Sequence, residues 1–288
     1  MTTIAVVWSN RSEEGLIRPV IDELREAGFD VWEWKMPDSW FEVQKFFESQ
    51  EGEIPDYAIC PFDRPPVALA AFLFYHGRVP IIQLQAGDIS SGTFDDVDRH
   101  VITLMASIHF CSGEVEAERV RRLLLSVNLP CEKVFVSGIT NLDGVVPEEA
   151  PDGTYDVVIY NPPTISPEKM PQELDRVFNM LDKETYWIQP NGDEGSQYIY
   201  DKVVKQFARL NKNIRWTPTL SHGAYLGLIS RAKRVIGNSS SLFFEVPFFE
   251  AERVLIGERN RIRESVELRK GGSKVIAEKL KELILSKT

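Results

Sequence analysis

Gly237-Asn-Ser-Ser-Ser241 sets one glycine, one asparagine and three serines side by side. The run follows an apolar strand pattern at Arg234–Ile236 and opens a helical pattern at Leu242–Glu245. Glycine lets a ligand approach the backbone closely. Hydroxyls and unpaired N–H groups at a helix start attract an anion. An ordinary helix cap fits the same residue types, but a cap needs only one of them. Asn238, Ser239 and Ser240 are therefore candidate phosphate ligands. Glu245 lies four residues past Ser241 and can hold ribose hydroxyls while the amides hold phosphates, the logic of dinucleotide sites. A first-turn acid complementing the helix dipole is the other reading of Glu245. Arg11, in Ser9-Asn-Arg-Ser12 just past the first strand pattern, can clamp phosphate, or it is a surface arginine. Arg259 and Arg263 are open to both readings.

Three acids follow strand patterns: Asp63 after Tyr57–Cys60, Asp88 after Val79–Leu84, and Asp95 seven residues further on. Carboxylates from several strand-end loops can meet at one point. Like charges held close raise the pKa of at least one member, which makes a general acid or base. A helix N-cap accounts equally for Asp95, and turn acids for the others. Of the histidines, His109 reads as packed in a strand and His76 as the end of a helix. His222, in a Ser-His-Gly turn, can reach a ligand, and His100 beside Arg99 can orient an acid. No pair has metal-ligand spacing, so no metal site is expected.

Short strand patterns alternate with amphipathic helical patterns along the chain. Strands are expected at Thr3–Trp8, Val31–Trp34, Tyr57–Cys60, Val79–Leu84, Ile108–Cys111 and Val134–Val136. Helices are expected at Leu16–Ala27, Phe41–Glu48, Val67–Tyr75, Asp96–Met105 and Val115–Leu125. Pro147-Glu-Glu-Ala-Pro-Asp-Gly153 reads as a linker. Beyond it the alternation restarts, with strands at Val157–Tyr160, Tyr186–Gln189, Ile214–Thr217, Arg234–Ile236 and Arg253–Ile256. Helices there are expected at Glu173–Leu181, Tyr198–Leu210, Ala224–Ala232 and Val275–Leu285. This predicts an α/β protein of two Rossmann-like parallel-sheet lobes, 1–149 and 150–288, the second closed by the C-terminal helix. In such folds ligands bind outside the carboxyl ends of the strands, here expected in a cleft between the lobes.

A net charge of −10 disfavours nucleic acid and anionic membranes as partners. The N-terminus suits a strand better than a signal peptide, and no run reaches the ~20 apolar residues of a membrane helix. The three cysteines, Cys60, Cys111 and Cys131, lack disulfide or zinc spacing and read as free thiols of a cytoplasmic protein.

Gln85 to His100, QAGDISSGTFDDVDRH, resembles the His-Gly-Gly-Glu … Asp-Glu-Ser-Ile-Arg-His segment of the hydrolysing UDP-N-acetylglucosamine 2-epimerases, the sialic-acid-pathway-like branch, and matches it without a gap. VIGNSSSLFFEVP (Val235–Pro247) resembles their Gly-Asn-Ser-Ser-Ser … Glu-Ala-Pro. IGERNRIR (Ile256–Arg263) resembles Ile-Gly-Asp-Arg-Gln-x-Gly-Arg. QPNGDEGS (Gln189–Ser196) resembles Tyr-Pro-Asn-Ala-Asp, and SNRSEEG (Ser9–Gly15) resembles Gly-Thr-Arg-Ala-Asp-Tyr-Gly. The chain departs from the pattern at Phe62 (Gly in the family), Pro66 (Glu), Gln85 (His), Asp88 (Glu) and Asn161 (His). The two lost histidines are candidates for proton transfer near neutral pH.

The resemblance implies a GT-B fold, UDP held mainly by the C-terminal lobe, and chemistry without metal or cofactor. A base removes the C2 proton of a UDP-N-acetylhexosamine and UDP leaves from C1. The outcome is either the 2-epimer or free N-acetylmannosamine plus UDP. By block matching, Asp63, Asp88 and Asp95 take the acidic catalytic positions. Ser239, Ser240 and Glu245 take UDP positions and Arg11 a phosphate-side position, and Gln85, Asn161, His222, Asn238 and Arg259 are read as further residues of the substrate side. A homodimer is compatible with this reading. Two rivals fit the same fold: a UDP-sugar-binding protein without turnover, and a GT-B glycosyltransferase.

Overall fold

In the computed structural model the described residues are 1–37, 39–50, 52–91, 95–182, 184–210, 213–218, 220–265 and 268–287; the side chains of 11, 12, 40, 206–210, 264, 265 and 287 fall outside the description. The chain forms two compact units, each with its own sheet. One is built from Met1–Asp88, Asp95–Gly144 and Val266–Thr288, the other from Ile89–Phe94 and Val145–Ser265.

The first unit runs β1 (Thr3–Trp8), α1 (Arg11–Glu26), β2 (Asp30–Lys35), α2 (Trp40–Glu48), β3 (Tyr57–Pro61), α3 (Pro65–His76), β4 (Ile81–Leu84), α4 (Asp95–Met105), β5 (Ile108–Cys111), α5 (Glu114–Ser126) and β6 (Val134–Val136). Its six strands are parallel and lie in the order β2-β1-β3-β4-β5-β6. Every residue of β4 and β5 is buried, as expected of strands covered on both faces. Helix α1 begins five residues before the Leu16 start expected from apolar spacing. Asn10 supplies a cap that the spacing does not register: its Oδ1 accepts from Glu13 N at 3.0 Å, and its own N–H donates to Glu13 Oε2 at 3.3 Å.

The second unit runs β7 (Tyr155–Ile159), α6 (Met170–Met180), β8 (Glu184–Ile188), α7 (Ser196–Leu210), β9 (Ile214–Thr217), α8 (His222–Ser230), β10 (Arg234–Gly237), α9 (Ser241–Phe244) and β11 (Glu252–Leu255). Its parallel strands lie in the order β11-β10-β7-β8-β9.

The C-terminal helix, α10 (Gly272–Ile284), belongs to the first unit, not to the second as its sequence position suggests. Its apolar stripe, Ile276, Ala277 and Leu280, joins the core made by Ile17, Val20, Ile21 and Leu24 of α1. Asp143 fixes its start by accepting from Gly271 N and Ser273 N, both at 2.8 Å. An amphipathic helix settles where a complementary apolar face is open, whatever its place in the chain.

Both sheets have a topological switch point. In the first, β1 is flanked by β2 and β3, so the chain departs in opposite directions from β1 and β3. In the second, β7 is flanked by β8 and β10. The loops after β1 and β3, and after β7 and β10, are where open α/β sheets bind ligands.

Candidate active site

At the first switch point the tight turn after β3 carries Phe62, at a φ of 63°. The resembling motif has glycine here, and glycine adopts this left-handed conformation freely whereas phenylalanine adopts it at a cost. Phe62 is buried, which anchors the strained turn and points the chain to Asp63. Gln85, directly after β4, repeats the feature at a φ of 51° and donates from Nε2 to Asn141 Oδ1 at 3.2 Å.

The acids gather around a residue that sequence reasoning passed over. Arg99, on α4, is 2% exposed. Its guanidinium donates to the Asp63 carboxylate, to Asp96 Oδ1 at 2.8 Å and to the backbone carbonyl of Asp88 at 2.8 Å. Burial works against its charge, but the carboxylates of Asp63, Asp88, Asp96 and Asp95 more than offset this and raise its pKa above the ordinary arginine value. Asp88 is itself buried, and Asp95 opens α4 half-buried. The structure thus brings Asp63, Asp88 and Asp95 into the field of one cation. A signal for Arg99 was present: Asp95 and Asp96 lie four and three residues before it, the spacing of facing pairs on a helix.

Two further acids border this group. Burial first, then Asp95 and Asp63, push the pKa of Asp98 above its ordinary value. Burial also raises Glu13, against hydrogen bonds to its Oε2 from Ser9 N at 2.6 Å and Ser9 Oγ at 2.8 Å. His100 is shifted down, by burial and then by Arg99. Among the described residues, no three His, Cys, Asp or Glu side chains are grouped to hold a metal ion. The Arg11 side chain lies outside the described residues.

At the second switch point, a lattice of asparagines ties the strand ends together. Asn161 N donates to Asn238 Oδ1 at 2.7 Å, and Asn238 Nδ2 donates back to the Asn161 carbonyl at 2.8 Å. Asn191 N donates to Asn161 Oδ1 at 3.0 Å, and Asn260 Nδ2 to the Asn238 carbonyl at 2.8 Å. Asn238, fully buried, therefore spends both ends of its amide on the neighbouring loop rather than facing a ligand. Gly237 makes the approach possible. Its φ is 151°, and a Cβ there would collide with the Ile159 carbonyl.

Ser239 and Ser240 are half-buried, and Ser239 Oγ accepts from Ser241 N at 3.3 Å. The helix they precede, α9, has only four residues, so its dipole is small. What this loop presents is individual hydroxyls and amides rather than a helix dipole. Glu245, 5% exposed, closes α9 and begins a 3₁₀ turn at Val246–Phe248. It is a buried carboxylate, not the solvated first-turn acid that sequence alone also allowed. Arg259 donates to the Pro162 carbonyl at 2.6 Å and pairs with Asp193 at 3.5 Å. Arg263 lies over the Phe244 ring at 5.1 Å. His222 is the first residue of α8, half-buried. Beneath these loops, the Tyr160 hydroxyl donates to buried Glu173 at 2.6 Å, a pair unmarked in the sequence.

Residues 42–287 match a family model described as UDP-N-acetylglucosamine 2-epimerase. The chain belongs to the UDP-N-acetylglucosamine 2-epimerase family. The UDP-N,N'-diacetylbacillosamine 2-epimerase (hydrolyzing) of Legionella pneumophila is 24% identical over 239 residues, 77% of this chain and 62% of that protein. The GDP/UDP-N,N'-diacetylbacillosamine 2-epimerase (hydrolyzing) of Campylobacter jejuni is 26% identical over 236 residues, 76% of this chain and 60% of that protein. The matches thus span about three-fifths of these relatives' length. Among solved structures, the UDP-GlcNAc 2-epimerase of Neisseria meningitidis bound to UDP-GlcNAc superposes with a TM-score of 0.73 at 13% identity, covering 99% of this chain and 92% of that one. The fold expected from the sequence, two Rossmann-like parallel-sheet units of the GT-B kind, agrees with both sheets and with this likeness.

Proposed function

We propose that this protein acts at C2 of a UDP-N-acetylhexosamine by proton abstraction and UDP elimination, and that water then completes the reaction to give N-acetylmannosamine and UDP. The observation that carries the proposal is the gathering of Asp63, Asp88 and Asp95 about Arg99, within a chain of this family. Two of the relatives bear hydrolysing names, which supports the hydrolytic outcome. In this reading a carboxylate of the cluster takes the C2 proton, the C–H electrons form the C1–C2 double bond, and the C1–O bond breaks with its electrons leaving on UDP. Arg99 holds Asp63 and Asp96 in place through its hydrogen bonds. Ser239, Ser240 and Arg259 hold the phosphates, Glu245 the ribose, and Arg11, Gln85, Asn161 and His222 contribute to the substrate side. The family match favours this reading over a binding protein or a glycosyltransferase. Product analysis with UDP-N-acetylglucosamine decides among them. N-acetylmannosamine with UDP is expected; sugar transfer only on adding an acceptor, or no product, overturns the proposal.

UDP should stabilise the fold equally with and without a chelator, because hydroxyls, amides and arginines supply the binding field. A thermal shift that requires divalent metal contradicts this. Glu245→Gln should weaken UDP binding by about 1.5–3 kcal/mol, the range for a hydrogen bond to a charged group. Unchanged affinity by calorimetry would remove Glu245 from the nucleotide site.

No helix among the described residues is long and apolar enough to cross a membrane. Cys60, Cys111 and Cys131 are free thiols, which supports a cytoplasmic setting. Val97, Val101 and Leu104 leave an exposed stripe on α4, with Phe72 and Tyr75 exposed on α3, which packs against it. This supports a homodimer across that face. Light scattering should give twice the monomer mass, and Val101→Asp should halve it.

A further inference from the structure

Asp88 stands in the turn that follows β4, outside any helix or strand. Three neighbouring elements hold that turn. Ala86 N donates to the Phe110 carbonyl of β5 at 3.0 Å. The Gly87 carbonyl accepts from Arg119 Nη1 of α5, and the Asp88 carbonyl from Arg99 Nη1 of α4 at 2.8 Å. The two peptide units that flank the Asp88 side chain are thus each held by a guanidinium, and the two come from different helices. Peptide units are planar, so the only soft backbone rotations between these two are φ and ψ of Asp88. Holding both planes fixes those angles and with them the direction of the side chain. A guanidinium on a carbonyl is a charge-assisted hydrogen bond, stronger than a neutral one.

Helix α5 reaches the turn because it packs directly on it. Ala117, Val120 and Leu124 share a core with Ala86. At Gly87, whose φ is 77°, a Cβ would collide with the Glu116 carbonyl and with Val120. Buried Glu116, three residues before Arg119, places its Oε1 3.9 Å from Arg119 Nη1 and so orients the guanidinium from the inner side. The outer side is open. The Arg119 side chain is 30% exposed and lines a surface depression with Glu114, Val115, Glu118 and Arg122.

We infer that Arg119 is a positioning residue for the reaction: it holds the peptide plane before Asp88 and, with Arg99 on the plane after it, sets the direction in which the Asp88 carboxylate meets the substrate. The inference rests on the proposed role of Asp88 among the catalytic acids. Arg119 acts through the backbone of the turn.

The test compares the whole wild-type chain with Arg119→Ala. The variant should lower kcat for UDP release from UDP-N-acetylglucosamine by about tenfold or more, against the roughly 100-fold that a misplacement of ~1 Å can cost. KM, and UDP affinity by calorimetry, should stay unchanged. Millimolar guanidinium chloride should restore much of the lost rate by entering from the open side, and sodium chloride at equal ionic strength should not. Hydrogen exchange across residues 85–91 should speed up in the variant, and guanidinium should slow it again. If Arg119→Ala fails to fold by thermal unfolding, Arg119→Gln, whose neutral amide stops short of the carbonyl, carries the kinetic and exchange readouts. Equal kcat in an active wild type and the variant overturns the inference alone. So does a kcat loss without faster exchange of the turn, one matched by a loss of UDP affinity, or one that guanidinium restores no better than sodium chloride. A wild type that releases no UDP overturns the proposed function, and the inference with it.

Discussion

Asp95→Asn should lower C2 hydrogen exchange of UDP-N-acetylglucosamine in deuterated water, and UDP release, by about 100-fold or more, the usual scale of general acid–base catalysis. A C–H bond beside an acetamido group is a weak acid, so its proton must pass to a carboxylate shielded from water. Asp95 stands at the head of α4, half-buried, within the field of Arg99 and, like Asp63, close enough to act on Asp98. Asparagine keeps size and shape but accepts no proton, so UDP binding should persist while exchange fails. Equal activity of wild type and Asp95→Asn would move the proton transfer to Asp63 or Asp88.

The second large effect is on stability. Arg99→Leu removes a guanidinium that is 2% exposed and with it one donor to each of Asp63, Asp96 and the Asp88 carbonyl. Breaking a buried ion pair from one side costs about 3–5 kcal/mol, because the remaining charge is stranded away from water. Urea unfolding of the Arg99→Leu variant should show a loss of this size. Adding Asp63→Asn should restore part of it by removing a stranded charge. A loss under about 1 kcal/mol, the scale of a surface pair, would mean that water reaches the cluster and that Arg99 is not its keystone.

Much of this molecule was legible in the order of its residues. Strands Thr3–Trp8, Ile108–Cys111, Val134–Val136 and Ile214–Thr217 were expected to the residue, and the alternation of strand and helix predicted the parallel α/β class. Such patterns are local: a run of β-branched and apolar residues, or an apolar stripe at helical spacing, reports its own burial. The acids and the serine run could be placed at strand ends for the same reason.

Other features were decided only by tertiary structure. The Arg99–Asp63 pair spans 36 residues and the Asn161–Asn238 pair 77, distances that parallel crossovers close and that no local pattern encodes. Phe62 took a glycine-like turn because strand β3 and the following helix fix the chain on either side of it. Packing alone sets the Tyr225 hydroxyl of α8 against Ser241, 16 residues further on. The sequence by itself determined which elements form and where their loops must lie, because burial pattern and capping act over a few neighbouring residues. The tertiary structure decided which side chains share a point in space, because that depends on strand order and on which apolar faces find each other.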